Sequence, residues 1–204
     1  ESIAQIAELQ NVLIELDLYS WEIDWKYDSI KDVILNYQLD KELILNTQSL
    51  GSSYYWPKTR KTLHQDYIEL LEYRNKLIDV ENKISQLKKE SYNQADTKIK
   101  ELWNLSIWTV SPEVRDLQLI LKHFWYFNEK DTAIYWNKTK EAIIAMQIDK
   151  EVILNNKSIW AGIFGPSTKK SLTDLLSDYY FQEEFNKLNL EEKFISELKK
   201  SSTI

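Results

Sequence analysis

The chain has 204 residues, a formal net charge of -6, three glycines, two histidines and no cysteine. The lack of cysteine excludes disulfide scaffolds, thiol catalysis and cysteine-ligated metal sites. Three glycines are too few for a glycine-rich nucleotide loop or for the many tight turns of an all-β fold. Because proteins that bind nucleic acid usually present a basic surface, the acidic balance predicts no nucleic-acid partner.

The first predicted element is a long helix, or two nearly collinear helices, over about residues 2–50. Ser2 and Gln5 have the spacing of a capping box at its start. Apolar residues then recur at alternating intervals of three and four, with no Gly or Pro between them, which is typical of a coiled-coil seam. Gly51 is placed to end this helix, and Pro57 is placed to begin the next one.

A second long helix is predicted from about residue 58 to 89, with an extension toward residue 105. The side chains of residues 51–110 have a net basic charge, whereas those of residues 1–50 have a net acidic charge. Opposite flanking charge favours two helices lying side by side, although each exposed pair contributes only about 0–1 kcal/mol. Because the connection is short, the two segments are predicted to form an antiparallel hairpin over about residues 2–105.

Shorter helices are predicted in the remainder of the chain. Ser111 followed by Pro112 has the pattern of a helix start, and Asp131 is expected to cap a fourth helix that ends near residue 155. Ser167 is expected to begin a fifth helix, and Asn189 to cap a sixth that ends near residue 200. No convincing strand and no internal repeat at a fixed period is apparent.

These elements together predict an all-α fold class. The architecture is a helical bundle built on a long antiparallel coiled-coil-like hairpin, with three or four shorter helices over about residues 111–200. Since a chain of this length is usually one domain, we predict a single all-helical domain over residues 1–204.

The search for catalytic and metal-binding motifs gives no candidate. The helix-borne patterns His-Glu-x-x-His and Glu-x-x-His are missing around His64 and His123. The adjacent acids Glu183 and Glu184 fit a solvated helix face better than a pair of glycosidase carboxylates. Residues 165–170 lack the spacing of a phosphate-binding loop. The sequence therefore predicts no catalytic residue, no metal site and no cofactor.

Aromatic residues supply the candidate binding sites. Most of the eight tryptophans fall on apolar stripes, which predicts that they pack in the core. Two aromatic turns are different, since they lie where the predicted helices break. Exposed aromatic clusters at such positions often contact a partner. The candidate binding residues are Tyr54, Tyr55, Trp56, Trp160 and Phe164, with folding back onto the bundle as the alternative interpretation.

We interpret the chain as a non-enzymatic protein-interaction or ligand-binding protein, with another protein as the first candidate partner and a glycan or a lipid surface as alternatives. Because residue 1 is Glu rather than Met, a removed signal peptide would fit, which slightly favours a secreted or cell-surface location over the cytoplasm. Three other functions stay open. They are an intracellular coiled-coil assembly subunit that forms a homo-oligomer through its long helices, an enzyme whose carboxylates converge only in the fold, and a membrane-active toxin.

Overall fold

The computed structural model describes residues 2–102 and 105–189. Within those ranges every regular element is helical, so the predicted all-α class is confirmed. One isolated antiparallel bridge joins Val110 to Ile134. The predicted sixth helix over residues 190–200 lies outside the described residues. The helices are α1 (Ile3–Glu15), α2 (Lys31–Asp40), α3 (Pro57–Glu101), α4 (Pro112–His123), α5 (Asn137–Asp149) and α6 (Pro166–Lys187), with one 3-10 turn over Asp28–Ile30 before α2.

The first arm of the predicted hairpin is not one long helix but two separate helices, α1 and α2. The capping box of Ser2 and Gln5 is present, but the helix that it begins ends at Glu15, and a loop separates it from α2. Asp17 and Trp25 adopt left-handed backbone angles, with φ of 58° and 57°, and a residue in that conformation cannot continue a helix. The apolar spacing continues past Glu15 because loop side chains also pack in the core.

Four helices end in the same way, and none of them uses glycine. The residue after each C-cap has a positive φ: Asp17, Glu42, Trp125 and Glu151, after α1, α2, α4 and α5. The next N–H then donates to a carbonyl five residues back, as from Leu18 N to Leu13 O at 2.8 Å. This is a Schellman-type end. Gly51, expected to end a helix, instead lies in the turn-rich loop before α3.

The second long helix is confirmed. Pro57 begins α3, and the helix continues for 45 residues to Glu101. Of the shorter helices, α4 begins after Ser111 as predicted, and α6 begins at Pro166, one residue before the predicted start. The predicted cap at Asp131 is wrong. Its carboxylate instead accepts a hydrogen bond from Arg115 Nε at 2.6 Å, and α5 begins only at Asn137.

The described residues divide into two compact units, unit 1 with residues 2–80 and unit 2 with residues 81–102 and 105–189. Each unit has its own buried apolar cluster. The cluster of unit 1 comprises Leu9, Leu13, Tyr19, Ile30, Ile34, Tyr37 and Leu63. The cluster of unit 2 includes Ala95, Ile99, Leu117, Leu121, Phe127, Tyr135, Ile143, Met146 and Leu172. The single domain over residues 1–204 stays a prediction.

Unit 2 repeats the helix–loop–helix–loop–helix pattern of unit 1. The helices α1, α2 and the start of α3 correspond to α4, α5 and α6. Residues 38–46 recur as residues 147–155 with only two aliphatic exchanges. The Tyr27 hydroxyl donates to Ser53 O at 2.9 Å, and the equivalent Tyr135 hydroxyl donates to Gly162 O at the same distance. The expectation of no internal repeat is therefore wrong, because each copy spans three helices rather than a short period.

Candidate binding loops and paired grooves

A buried glutamine near the end of a helix holds each of four loops. These residues are Gln10, Gln38, Gln118 and Gln147, in α1, α2, α4 and α5, and each is at most 1% exposed. In every case the side-chain amide accepts a hydrogen bond from a loop N–H and donates to loop oxygens. A buried amide that is fully hydrogen-bonded stabilises one particular path of the loop around it.

Gln38 holds the loop between α2 and α3. Its Nε2 donates to Gly51 O at 3.2 Å and to Tyr54 O at 2.8 Å. The same nitrogen lies 2.9 Å from Thr59 Oγ1 in the first turn of α3, and Oε1 accepts from Ser53 N at 2.9 Å. One side chain of α2 therefore joins the last part of the loop to the start of the following helix.

Gln147 makes the same four contacts in unit 2. Its Nε2 donates to Trp160 O at 3.2 Å, to Ile163 O at 3.0 Å and to Thr168 Oγ1 at 2.7 Å. Its Oε1 accepts from Gly162 N at 2.8 Å. Because all four partners lie at equivalent positions, the loop between α5 and α6 is a second copy of the loop before α3.

The loops after α1 and α4 are held in a related way, with one chemical difference. Gln118 donates to Thr139 Oγ1 at 2.9 Å, whereas Gln10 donates to Asp24 Oδ1 at 2.7 Å. The Asp24 carboxylate also accepts hydrogen bonds from the Ser29 hydroxyl and from Lys26 N. These hydrogen bonds, with that from Ser29 the strongest, lower the pKa of Asp24 to about 2.

The paired loops display large aliphatic side chains to solvent. Leu45 and Leu50 are 95% and 88% exposed in the loop between α2 and α3. Leu154 and Ile159 occupy the equivalent positions between α5 and α6 and are 95% and 82% exposed. Scattered exposed aliphatics need no explanation, but a group of them on one surface often marks an interaction site. We call these two segments, residues 43–56 and 152–165, the paired loops.

The five candidate binding residues divide between the two paired loops. Tyr54 and Trp56 are exposed, and Tyr55 packs half-buried against the core of unit 1. Trp160 is exposed, whereas Phe164 is buried within the core of unit 2. The structure therefore brings Tyr54, Tyr55 and Trp56 together on one loop and puts Trp160 and Phe164 on its counterpart.

The prediction that most tryptophans pack in the core is wrong for the described ranges. Their side chains are exposed because the apolar spacing continues beyond the helix ends, into loops and turns. Trp108 and Trp136 also contact each other edge to face, with ring centroids 6.1 Å apart. The exposed residues are Trp21, Trp25, Trp56, Trp108, Trp125, Trp136 and Trp160. Trp103 lies outside the described residues.

Each unit also has a groove beside the start of the helix that follows its paired loop. The groove of unit 1 has a volume of about 480 Å³. Two of its lining residues contact each other, because the guanidinium of Arg60 lies over the Tyr55 ring, 5.0 Å from the ring centre. Its lining includes Gln5, Glu8, Leu9 and Val12 from α1, Tyr55 from the loop, and Pro57, Arg60, Lys61 and His64 from α3.

The groove of unit 2 has a volume of about 450 Å³. Lys169 Nζ lies 5.4 Å from the centre of the Phe164 ring, which repeats the arrangement of Arg60 over Tyr55. Desolvation lowers the pKa of Lys169. Its lining includes Tyr92, Asp96, Ile99 and Lys100 from α3, Phe164 from the loop, and Pro166, Lys169, Lys170 and Thr173 from α6.

Two tyrosines with raised pKa values, Tyr37 and Tyr135, donate hydrogen bonds to residues that are distant in sequence. Burial, followed by the hydrogen bond to Asp66, raises the pKa of Tyr37, whose hydroxyl donates to the Asp66 carboxylate at 2.8 Å. Burial raises the pKa of Tyr135.

Among the described residues, no group of three or more histidines and acids is arranged to hold a metal ion. None of the described helices is long and apolar enough to cross a membrane.

Comparison of the chain with protein-family models, with curated proteins and with solved structures finds no match. Sequence reasoning misses the four buried glutamines because a polar residue beside apolar positions resembles the exposed face of a helix. The available signal is the recurrence of residues 38–46 as 147–155 and of the pattern Pro-x-Thr-basic-Lys at Pro57 and Pro166.

Proposed function

We propose that the chain is a non-enzymatic binding protein whose paired loops contact another protein. The observation that carries this proposal is the exposure of Leu45 and Leu50, repeated by Leu154 and Ile159 in the second copy. Burying an exposed aliphatic side chain against a partner contributes roughly 1.5–3 kcal/mol. The repetition of the same exposed positions in both units supports a role beyond folding.

The hydrogen bonds inside the loops support the same proposal. Gln38 and Gln147 hold the loop backbones before any partner arrives. Asn46 Oδ1 accepts from Gln48 N at 2.9 Å, and Asn155 Oδ1 accepts from Lys157 N at the same distance. Ordering a flexible side chain on binding costs about 0.5–1.5 kcal/mol, and additional ordering of the backbone raises that cost. A preformed loop avoids the backbone part.

The test replaces the exposed aliphatics one loop at a time. A protein retained by the immobilised chain is purified, and its Kd is measured against wild type, Leu45→Asn with Leu50→Asn, and Leu154→Asn with Ile159→Asn. We expect each pair of changes to weaken binding at least tenfold, equivalent to about 1.4 kcal/mol. The matched control is Leu119→Asn, an exposed leucine on α4, which should leave Kd unchanged. An unchanged Kd in both loop variants, with a native circular dichroism spectrum, would contradict the proposal.

A glycan is the second candidate partner, favoured by the exposed tryptophans. Trp56 and Trp160 lie in loops that also carry neutral amide and hydroxyl side chains. An aromatic face can cover the apolar face of a sugar ring while neutral amides pair with its hydroxyls. Cosedimentation with insoluble polysaccharides tests this candidate. If a glycan is the partner, Trp56→Ala and Trp160→Ala should abolish cosedimentation with the polysaccharide, whereas the leucine variants should continue to cosediment.

A further inference from the structure

We propose that each of the two grooves binds an acidic peptide segment that carries an apolar side chain, so that one chain offers two related peptide sites. The inference rests on the proposed function in one respect, that the partner is a protein. It concerns different side chains, because the grooves are lined by helix residues together with Tyr55 and Phe164, whereas the exposed aliphatics of the paired loops do not line them.

The equivalence of the grooves is residue by residue on the helix that follows each paired loop. Pro57 in the groove of unit 1 corresponds to Pro166 in the groove of unit 2. Lys61 corresponds to Lys170, four residues farther along each helix. The aromatic residue two positions before each proline, Tyr55 or Phe164, also carries a basic side chain over its ring. The two units therefore build one wall of the groove from equivalent residues, whereas the opposite wall comes from α1 in unit 1 and from the later part of α3 in unit 2.

The charge of both grooves is opposite to that of the whole chain. The chain has a net charge of -6, yet each groove is lined by a single carboxylate and by at least two permanently basic side chains. In unit 2 the carboxylate of Asp96 is already paired with Lys100, whose Nζ lies 2.6 Å away. A concave basic surface on an acidic protein attracts anionic groups and orients them as they approach.

The uncharged part of the lining specifies the rest of the ligand. Leu9 and Val12 line one side of the groove of unit 1, and Ile99 lies in the lining of the other groove. Volumes of about 480 Å³ and 450 Å³ fall within the range of about 300–1,000 Å³ that is usual for ligand sites. A short segment with one aliphatic side chain beside consecutive acids matches this combination of size, apolar surface and charge.

The experiment uses two peptides that differ only in charge, N-acetyl-Leu-Glu-Glu-amide and N-acetyl-Leu-Gln-Gln-amide. Titration by calorimetry, with resonance mapping by NMR, should give two sites for the glutamate peptide, one in each unit. The glutamine peptide should bind at least tenfold more weakly. Lys61→Glu should remove the site in unit 1, Lys170→Glu the site in unit 2, and the double variant both sites.

Matched controls separate the local effect from the overall charge. Lys76→Glu and Lys89→Glu change the same charge at exposed positions of α3 outside both grooves, and both should retain two sites. Equal binding of the two peptides, or two remaining sites in the double variant, overturns the inference. Inorganic phosphate that binds as tightly as the glutamate peptide overturns the assignment to a peptide.

The same assay distinguishes failure of this inference from failure of the proposed function. The paired-loop variants Leu45→Asn with Leu50→Asn should bind the glutamate peptide as wild type does, because those side chains do not line a groove. Loss of partner binding in those variants without any peptide binding to wild type would leave the loop proposal intact and reject only the grooves.

Discussion

Units 1 and 2 hold their paired loops with the same hydrogen bonds but differ in the residues that form those loops. Both use a buried glutamine, and both place a threonine, Thr59 or Thr168, where the glutamine nitrogen can reach its hydroxyl. By contrast, Ser53 in unit 1 occupies the position of Gly162 in unit 2, with φ of 64° and 74°. The comparison teaches that the amide hydrogen bonds determine the path of the loop, whereas its turn residues can vary.

The largest expected effect comes from equivalent leucines in the two cores. Leu63 and Leu172 are both fully buried, so Leu63→Ala and Leu172→Ala should each lower the free energy of unfolding by about 3 kcal/mol. Hydrogen exchange should localise the loss to the unit that carries the change. Leu119→Ala, at an exposed site on α4, should change the free energy of unfolding by less than about 0.5 kcal/mol. Equal loss of protection in both units would contradict the division.

A somewhat smaller effect is expected for the glutamines. Gln38→Ala and Gln147→Ala leave a loop N–H and loop carbonyls without partners, and an unsatisfied buried group costs about 1–3 kcal/mol. We expect both variants to lose about 2 kcal/mol in urea unfolding followed by circular dichroism. Gln86→Ala removes an exposed glutamine that bonds to Glu90, and it should be neutral. If the losses of unfolding free energy in Gln38→Ala and Gln147→Ala differ by more than about 1 kcal/mol, the two copies are not equivalent.

The turn residues should respond unequally to the same substitution. A Cβ at Gly162 would meet Lys140 Cγ at 2.3 Å, and the residue has a φ of 74°. Because Cγ, Cδ and Cε of Lys140 all lie within 3.2 Å of that Cβ, the lysine side chain has to move, and Gly162→Ala should cost about 2 kcal/mol for this displacement and the left-handed conformation together. Ser53 already has a Cβ at the equivalent position, so Ser53→Ala should change the unfolding free energy by less than about 0.5 kcal/mol. Thermal unfolding of Gly162→Ala, Ser53→Ala and wild type measures the two changes in stability.

The smallest expected effect concerns pH and involves only unit 1. Asp24 has its pKa lowered from 3.8 to about 2 in the folded chain, and Thr132 occupies the equivalent place in unit 2. A lowered pKa contributes stability above pH 3.8 that is lost as the pH falls toward 2. Asp24→Asn should therefore show a smaller loss of stability between pH 4 and pH 2 than wild type. Identical slopes for the two proteins would show that Asp24 does not contribute.

The sequence predicts the parts of the fold that depend on local chemistry. Pro57 and Ser111 mark helix starts correctly, because a proline in the first turn and an N-cap serine act through their own backbone. The helix ends are missed because Asp17 and Glu42 adopt a conformation that usually needs glycine. Their strain, about 1–2 kcal/mol for each residue, is offset by hydrogen bonds and packing that exist only in the folded unit.

The candidate site is predicted only in part for the same reason. Tyr54, Trp56 and Trp160 are exposed on loops, as their position near the Gly and Pro breaks indicates. Phe164 belongs to the core instead, since its loop turns inward where Gln147 holds Ile163 O. The grooves involve side chains from helices that are distant in sequence, such as Glu8 and Lys61, and no local pattern connects those two positions.

The exposure of every tryptophan in the described ranges has a practical consequence for spectroscopy. An indole that is already in water emits at nearly the same wavelength before and after the chain unfolds. The fluorescence of these seven tryptophans should therefore report denaturation poorly, although tryptophan is the residue that usually makes the method sensitive. A ligand that covers Trp56 or Trp160 removes that indole from water. The emission maximum should then shift to the blue on binding, which provides a label-free titration signal.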